Sequence, residues 1–135
     1  MNIAVRKPLL GSALSGFLGQ TRNILIDGKW VQAQSGQTFE VEDPATQEII
    51  AHVPLGDKAD IGLAVAAARR AFETGPWSRL SPGERARLVW KLGDLLEKYA
   101  DEFAELEALD NGKPVTNARK GDVQGSIEMF RYMAG

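Results

Sequence analysis

The hydrophobic pattern of this chain switches from a period of two to one of about 3.6 near Pro54. Before the switch, Ile24-Leu25-Ile26 and Trp30-Val31 flank Asp27-Gly28-Lys29, and an Asp-Gly pair supplies the positive φ angles of a tight hairpin turn. Phe39-Glu40-Val41-Glu42 alternates as a half-buried strand, Asp43-Pro44-Ala45-Thr46 turns the chain, and Glu48 to Val53 resumes extended structure. Two hairpin-like units make a small β element, which needs another layer to cover it.

After the switch the pattern predicts helices. Asp57, with Asp60 three residues on, marks a start; Ile61, Val65, Ala68 and Phe72 share one face, and Gly75-Pro76 ends the run. Ser81-Pro82-Gly83-Glu84 is a capping box with proline at the first helical position. Leu88, Leu92, Leu95, Leu96, Tyr99, Phe103 and Leu106 form a stripe that must be buried against something, and Asp101 is placed to cap a second segment if the helix breaks near Ala100. Gly112 supplies a left-handed residue past the helix end, and Pro114 blocks continuation. From Val115 to Gly135 the period is again helical, with Val123, Ile127, Phe130 and Ala134 on one face. Gly121 and Gly125 lie inside it, each about 1 kcal/mol less favourable than alanine, so this helix is expected to be marginal alone and to lean on neighbours outside the chain.

Composition narrows the function. At 135 residues, 44% apolar and 25% charged, the chain is long enough for one globular domain. A net charge of −2 gives no basic surface for nucleic acid. There are no cysteines, which excludes disulfides, thiolate metal sites and a thiol nucleophile. Residues 1–22 differ from the rest, with Arg6, Lys7 and Arg22 but no acid before Asp27, and a small-apolar stretch from Leu9 to Gly19. That stretch is broken by Gly11, Ser12, Ser15 and Gly16 and is too short to span a bilayer. The expectation is an amino-terminal extension, poorly ordered or packed as a short helix, on a cytoplasmic protein without a membrane partner.

Other candidate chemistry fails on inspection. His52, the only histidine, has no serine or cysteine partner nearby, and neither Gly11 to Gly16 nor Gly121 to Gly125 carries the lysine-serine/threonine ending of a phosphate loop. Trp30, Trp77 and Trp90 read as packing residues, and Glu97, Glu102, Glu105 and Glu107 as a solvated helix face.

The run Leu106-Glu107-Ala108-Leu109-Asp110-Asn111-Gly112-Lys113-Pro114 does more than stop a helix. Together with Ile26-Asp27-Gly28-Lys29-Trp30-Val31, Asp43-Pro44-Ala45-Thr46, Ala64 to Phe72 and Pro76-Trp77, it resembles, in order and spacing, the amino-terminal segment of the NAD(P)-dependent aldehyde dehydrogenases. The resemblance runs from about Asn23 to Gly135, and the leader and glycine-rich last helix look loosely like those of bacterial phenylacetaldehyde dehydrogenases. It implies an α/β fold: amino-terminal β-hairpins plus three or four helices, leading into a Rossmann-like cofactor domain mostly absent here. Residues 1–22 are then an extension, and 23–135 an incomplete aldehyde dehydrogenase domain. In that family a cysteine thiolate attacks the aldehyde, hydride passes to NAD or NADP, and a glutamate activates water to release the acid. Those groups lie downstream, so the resemblance implies no catalytic and no cofactor-binding residue in this chain, no cofactor bound to it alone, and a homo-oligomeric, aldehyde-oxidising parent.

Two sites are implied by the resemblance. A carboxylate in the last turn of a helix faces the negative end of its dipole, so Asp110 is unfavourable unless solvated or compensated, for instance by Lys113. The resemblance instead implies a monovalent cation held by Asp110 with the carbonyls of Val41 and Glu42, an all-oxygen set suited to a hard ion, with a further ligand beyond Gly135. Gly121 and Gly125 read on their own as sites of close helix packing or tolerated loss of helicity. By resemblance their helix lines the tunnel through which aldehyde reaches the nucleophile, with Gly125 leaving room for a bulky or aromatic substrate. Two other readings stay open: a binding or decoy subunit that docks on a full-length relative, and an unrelated α+β binding module that melts as a two-state monomer.

Overall fold

A computed structural model describes residues 11–18 and 20–135; Arg6, Lys7, Leu9 and Gly19, and with them much of the expected extension, lie outside the described residues. A short helix α1 (Ser12–Leu18) precedes four strands, β1 (Ile24–Ile26), β2 (Lys29–Val31), β3 (Thr38–Asp43) and β4 (Glu48–Pro54). Then come α2 (Lys58–Thr74), a 3-10 turn (Pro76–Arg79), α3 (Pro82–Lys98) and α4 (Ala100–Asn111). The last helix is composite: one α turn, α5 (Val115–Asn117), a wide π turn (Ala118–Val123) and α6 (Gln124–Ala134).

The turn chemistry works as the residues dictate. Strands β1 and β2 pair antiparallel, Ile24 opposite Val31 and Ile26 opposite Lys29, across Asp27 (φ 54°) and Gly28 (φ 72°), the double left-handed step of a type I′ turn. Strands β3 and β4 form a second, separate antiparallel pair. Their turn is organised by Asp43, which is 4% exposed: its carboxylate accepts from the Ala45 amide at 2.9 Å and the Thr46 hydroxyl at 2.8 Å, and its carbonyl accepts from the Gln47 amide at 2.7 Å. The ladder slips between Val41 and Glu42, which face Ala51 and Ile49 and leave Ile50 as a bulge.

Helix α2 starts on the expected acids. Asp57 caps it, and Asp60, buried to 2% exposure, accepts from the Asp57 amide at 2.9 Å. The second oxygen of Asp60 accepts from the Gln34 amide at 3.0 Å, tying the loop after β2 to the helix start. Helix α2 meets β1, and Ala67 is buried. The face carrying Ile61, Val65, Ala68 and Phe72 stays in solvent, Phe72 at 76% exposure.

The Ser81 box forms in full. The Ser81 hydroxyl and amide donate to the Glu84 carboxylate at 2.7 and 2.8 Å, and the Glu84 amide donates back to Ser81 Oγ at 3.3 Å. The hydroxyl bond first and the amide bond second hold the Glu84 pKa below the ordinary carboxylate value. Helix α3 does break, at Tyr99 (φ −108°, ψ 22°), but Asp101 does not cap α4. Its carboxylate accepts from Arg119 Nε at 2.7 Å, because the last helix brings a cation within reach. The expected long stripe is therefore divided. Leu96 packs on the core, whereas Leu88, Leu92, Leu95, Tyr99 and Phe103 remain more than a third exposed. Next to Phe103, Leu14 of α1 is buried against α4, and the Gly11 amide donates to Glu105. Arg22, just after α1, lays its guanidinium 3.8 Å over the Phe17 ring.

The composite last helix finds neighbours within the chain: Ala118, Val123 and Ile127 join Ala100 and Ala104 of α4 in the one buried cluster among the described residues, with α6 packed along α3, while Met129, Tyr132 and Met133 stay exposed. A π turn brings residues five apart onto one side, so Ala118 and Val123 both face inward, and Ile127 sits one α turn later. Gly93 lets α3 and α6 approach, since a β-carbon there would lie 3.3 Å from Arg131 Cγ and 3.4 Å from the Ile127 carbonyl. Arg131 crosses the same seam to Asp94 at 3.0 Å and Glu97 at 2.6 Å.

Candidate functional site

The residues singled out in the sequence fall at two places. Val41 and Glu42 sit at the β3 side of the ladder slip, Val41 half-buried and Glu42 exposed. Asp110 is exposed near the carboxyl end of α4, and α4 packs against β3. The seam between them is fixed at Gly112, which adopts the left-handed conformation (φ 78°) and whose absent β-carbon would lie 3.0 Å from Pro44 Cγ. The helix end thus lies against the Asp43-Pro44 turn, beside the strand that carries the two carbonyls.

Compensation of Asp110 by Lys113 is not realised. Lys113 turns away from it, to Asp122 and to Glu107 at 3.2 Å, and these two partners, Asp122 first, raise the Lys113 pKa above its ordinary value. The Asp110 carboxylate is exposed and has no hydrogen bond or ion pair among the described residues. No cluster of three or more histidine, cysteine or carboxylate side chains able to hold a metal occurs among the described residues. A carbonyl-plus-carboxylate site is a different kind of set.

Gly121 lies in the π turn and Gly125 in the first turn of α6. Neither is a close-packing glycine, because a β-carbon at either position would meet nothing within 4 Å. The close-packing glycine is Gly93, which the sequence did not flag; its only sign is a lone glycine within a leucine-rich helix. Gly125 instead lines an open groove of about 630 Å³ between α3 and α6, together with Val89, Asp122, Ser126, Met129, Phe130 and Met133. The groove wall is mostly apolar, and Ser126 is satisfied internally, its hydroxyl donating to the Asp122 carbonyl at 2.7 Å. Elsewhere, exposed His52 lies 3.6 Å from Glu40.

Short antiparallel hairpins before packed helices, an acid beside a bulged strand and an apolar groove along the last helix make up an α/β arrangement. The profile of the aldehyde dehydrogenase family matches residues 30–135, and the chain belongs to that family. Among relatives, the mitochondrial benzaldehyde dehydrogenase of Antirrhinum majus is 46% identical over 116 residues, covering 86% of this chain and 22% of that protein. Aldehyde dehydrogenase 1A1 of Rattus norvegicus is 42% identical over 130 residues, covering 96% and 26%. The structure of an aldehyde dehydrogenase from Bacillus cereus in complex with NAD+ superposes with a TM-score of 0.91 at 44% identity, over 93% of this chain and 26% of that one. The chain spans about a quarter of the length of the relatives it matches.

Proposed function

We propose that this chain is the amino-terminal portion of a cytoplasmic, homo-oligomeric enzyme that oxidises a small aldehyde to its carboxylic acid with NAD or NADP. Residues 1–22 form its extension and 23–135 its scaffold segment. The observation that carries this is the family match over residues 30–135 joined to the absence of any cysteine. The family's chemistry needs a thiolate, and none is here. The chain holds structure around the reaction and supplies none of its reacting groups.

Two parts of that scaffold have work in the parent. The carbonyls of Val41 and Glu42 with the Asp110 carboxylate hold a monovalent cation between the bulged strand and the end of α4. The packing of α4 against β3 and the Gly112–Pro44 contact, which set the helix end beside the strand, support this. A bound cation supplies positive charge that ties strand to helix, and it takes no part in bond breaking. The second part is the Gly121 and Gly125 side of the last helix, which lines the aldehyde's entry path. The open space at both glycines and the apolar wall built by Met129, Phe130 and Met133 suit a bulky or aromatic side group.

The test is direct. The purified chain, given NAD+ or NADP+ and aliphatic and aromatic aldehydes, should produce no reduced cofactor by absorbance. Turnover above a host-protein blank would overturn the assignment of every reacting group to sequence outside this chain.

A further inference from the structure

Asn111 is the one asparagine of this chain that is followed by glycine. In such a pair the glycine nitrogen meets no neighbouring side chain on its way to the asparagine side-chain carbonyl carbon, so ring closure between them is the least hindered of any asparagine sequence. Asn111 is exposed as the last residue of α4, within reach of water. The fold nevertheless keeps the reacting atoms apart. The nucleophile is occupied, because the Gly112 amide donates to the Ala108 carbonyl at 2.9 Å. The side-chain amide is held at both ends: Asn111 Nδ2 donates to Glu107 Oε1 at 2.6 Å, and Asn111 Oδ1 accepts from the Lys113 amide at 2.9 Å. Gly112, left-handed at φ 78°, is also seated against Pro44, where a β-carbon would lie 3.0 Å from Cγ. Ring closure requires both the Asn111 side chain and the peptide after it to turn, and each turn breaks a contact just named.

We infer that Asn111 is a site of spontaneous deamidation gated by the carboxyl-terminal turn of α4: shut while the Gly112–Ala108 bond and the Pro44 contact hold, open when that turn frays. Helix ends open locally at a lower free energy than the whole chain unfolds. In the open turn the Gly112 nitrogen gives up its proton and bonds to Asn111 Cγ, the Cγ–Nδ2 bond breaks, and the amide nitrogen takes up a proton and leaves as ammonia. Water then opens the succinimide at either carbonyl, leaving an aspartyl or an isoaspartyl residue with nothing oxidised or reduced. Either product opposes reclosure. A carboxylate at position 111 cannot donate to Glu107, carries the same charge one turn away from it, and joins Asp110 at the negative end of the helix. The isoaspartyl form also lengthens the main chain by a methylene group immediately before the residue seated on Pro44. The damage therefore falls on the seam between α4 and the Asp43-Pro44 turn.

The experiment incubates the purified full chain at mildly alkaline pH, in buffer and in urea, and follows the peptide containing Asn111 by mass spectrometry after proteolysis. Conversion should proceed in both, at least about tenfold more slowly in buffer. Glu107→Ala removes a bond that pins the side-chain amide and should speed conversion in buffer about fivefold without changing the rate in urea, whereas exposed Lys91→Gln should change neither. Hydrogen exchange at Gly112 keeps the test sound should Glu107→Ala loosen the whole chain: in the parent chain, at urea concentrations below the unfolding transition, conversion should rise in step with exchange of that amide. Equal rates in buffer and urea would overturn the gate. So would conversion that ignores Gly112 exchange, or a Glu107→Ala effect of the same size in both solvents. Absence of conversion in urea would overturn the site itself.

Discussion

The two halves of the molecule are held by different forces. The carboxyl-terminal half, α3 to α6, closes on a cluster of small side chains in which Ile127 is the one large residue fully buried, and stitches it with Arg131 and Lys113 ion pairs. The amino-terminal half, the two hairpins and α2, buries little apolar surface. It is shaped instead by two nearly inaccessible carboxylates, Asp43 and Asp60, that accept from backbone amides in turns and loops. Hydrogen bonds of this kind fix geometry more than they add stability, since water competes for the same groups in the unfolded chain. One half has a buried cluster of its own, and the other has a defined shape with little core.

Four substitutions probe that contrast. Ile127→Ala, in the self-sufficient half, should have the largest effect, about 2–5 kcal/mol in urea unfolding monitored by circular dichroism. Asp60→Ala should cost about 1–3 kcal/mol by leaving two amides without an acceptor. Its signature is faster hydrogen exchange at Gln34 and Asp57, with the α6 amides untouched. If the α6 amides exchange faster as well, the halves are one cooperative unit and the contrast fails. Ser81→Ala should cost about 1 kcal/mol and change the acid response. The folded pKa of Glu84 is depressed, so the cap's contribution is complete above the unfolded carboxylate value and is lost as pH falls through the folded one. Acid titration of the variant should show a smaller component, because the amide of residue 81 still donates to Glu84. Phe72→Ser should have the smallest effect, within about 0.5 kcal/mol, because the ring already stands in water. A larger loss in the isolated chain would show that the α2 face is covered from within.

Local structure was legible in the sequence. The Asp27-Gly28 turn, the helix start at Asp57, the Ser81 capping box and the Gly112 stop depend on neighbours one to four residues away, and each forms where the residue types demand. The family assignment was legible for the same reason, because it rests on these signals in a fixed order. Tertiary contacts escaped. Nothing around Asp60 announces Gln34, Gly93 reads as an ordinary helical glycine until Ile127 is set against it, and Arg119 takes Asp101 away from the capping role its position suggested. The stripe from Leu88 to Leu106 was legible as a stripe. A periodicity names the face to be covered, not the molecule that covers it.

The wide turn from Ala118 to Val123 carries one surplus residue relative to a regular helix, and so works as a phase adapter between the segment led by Lys113 and the segment ending at Ala134. Removing that surplus, for example by excising Gly121, would heal the winding and rotate everything upstream by about a quarter of a revolution around the axis. Lys113 and the neighbouring Gly112–Pro44 clasp would have to rotate with it. The spacing between the strand-borne shelf and the groove is thus set by the count of residues in one loop of backbone, independently of which side chains occupy it.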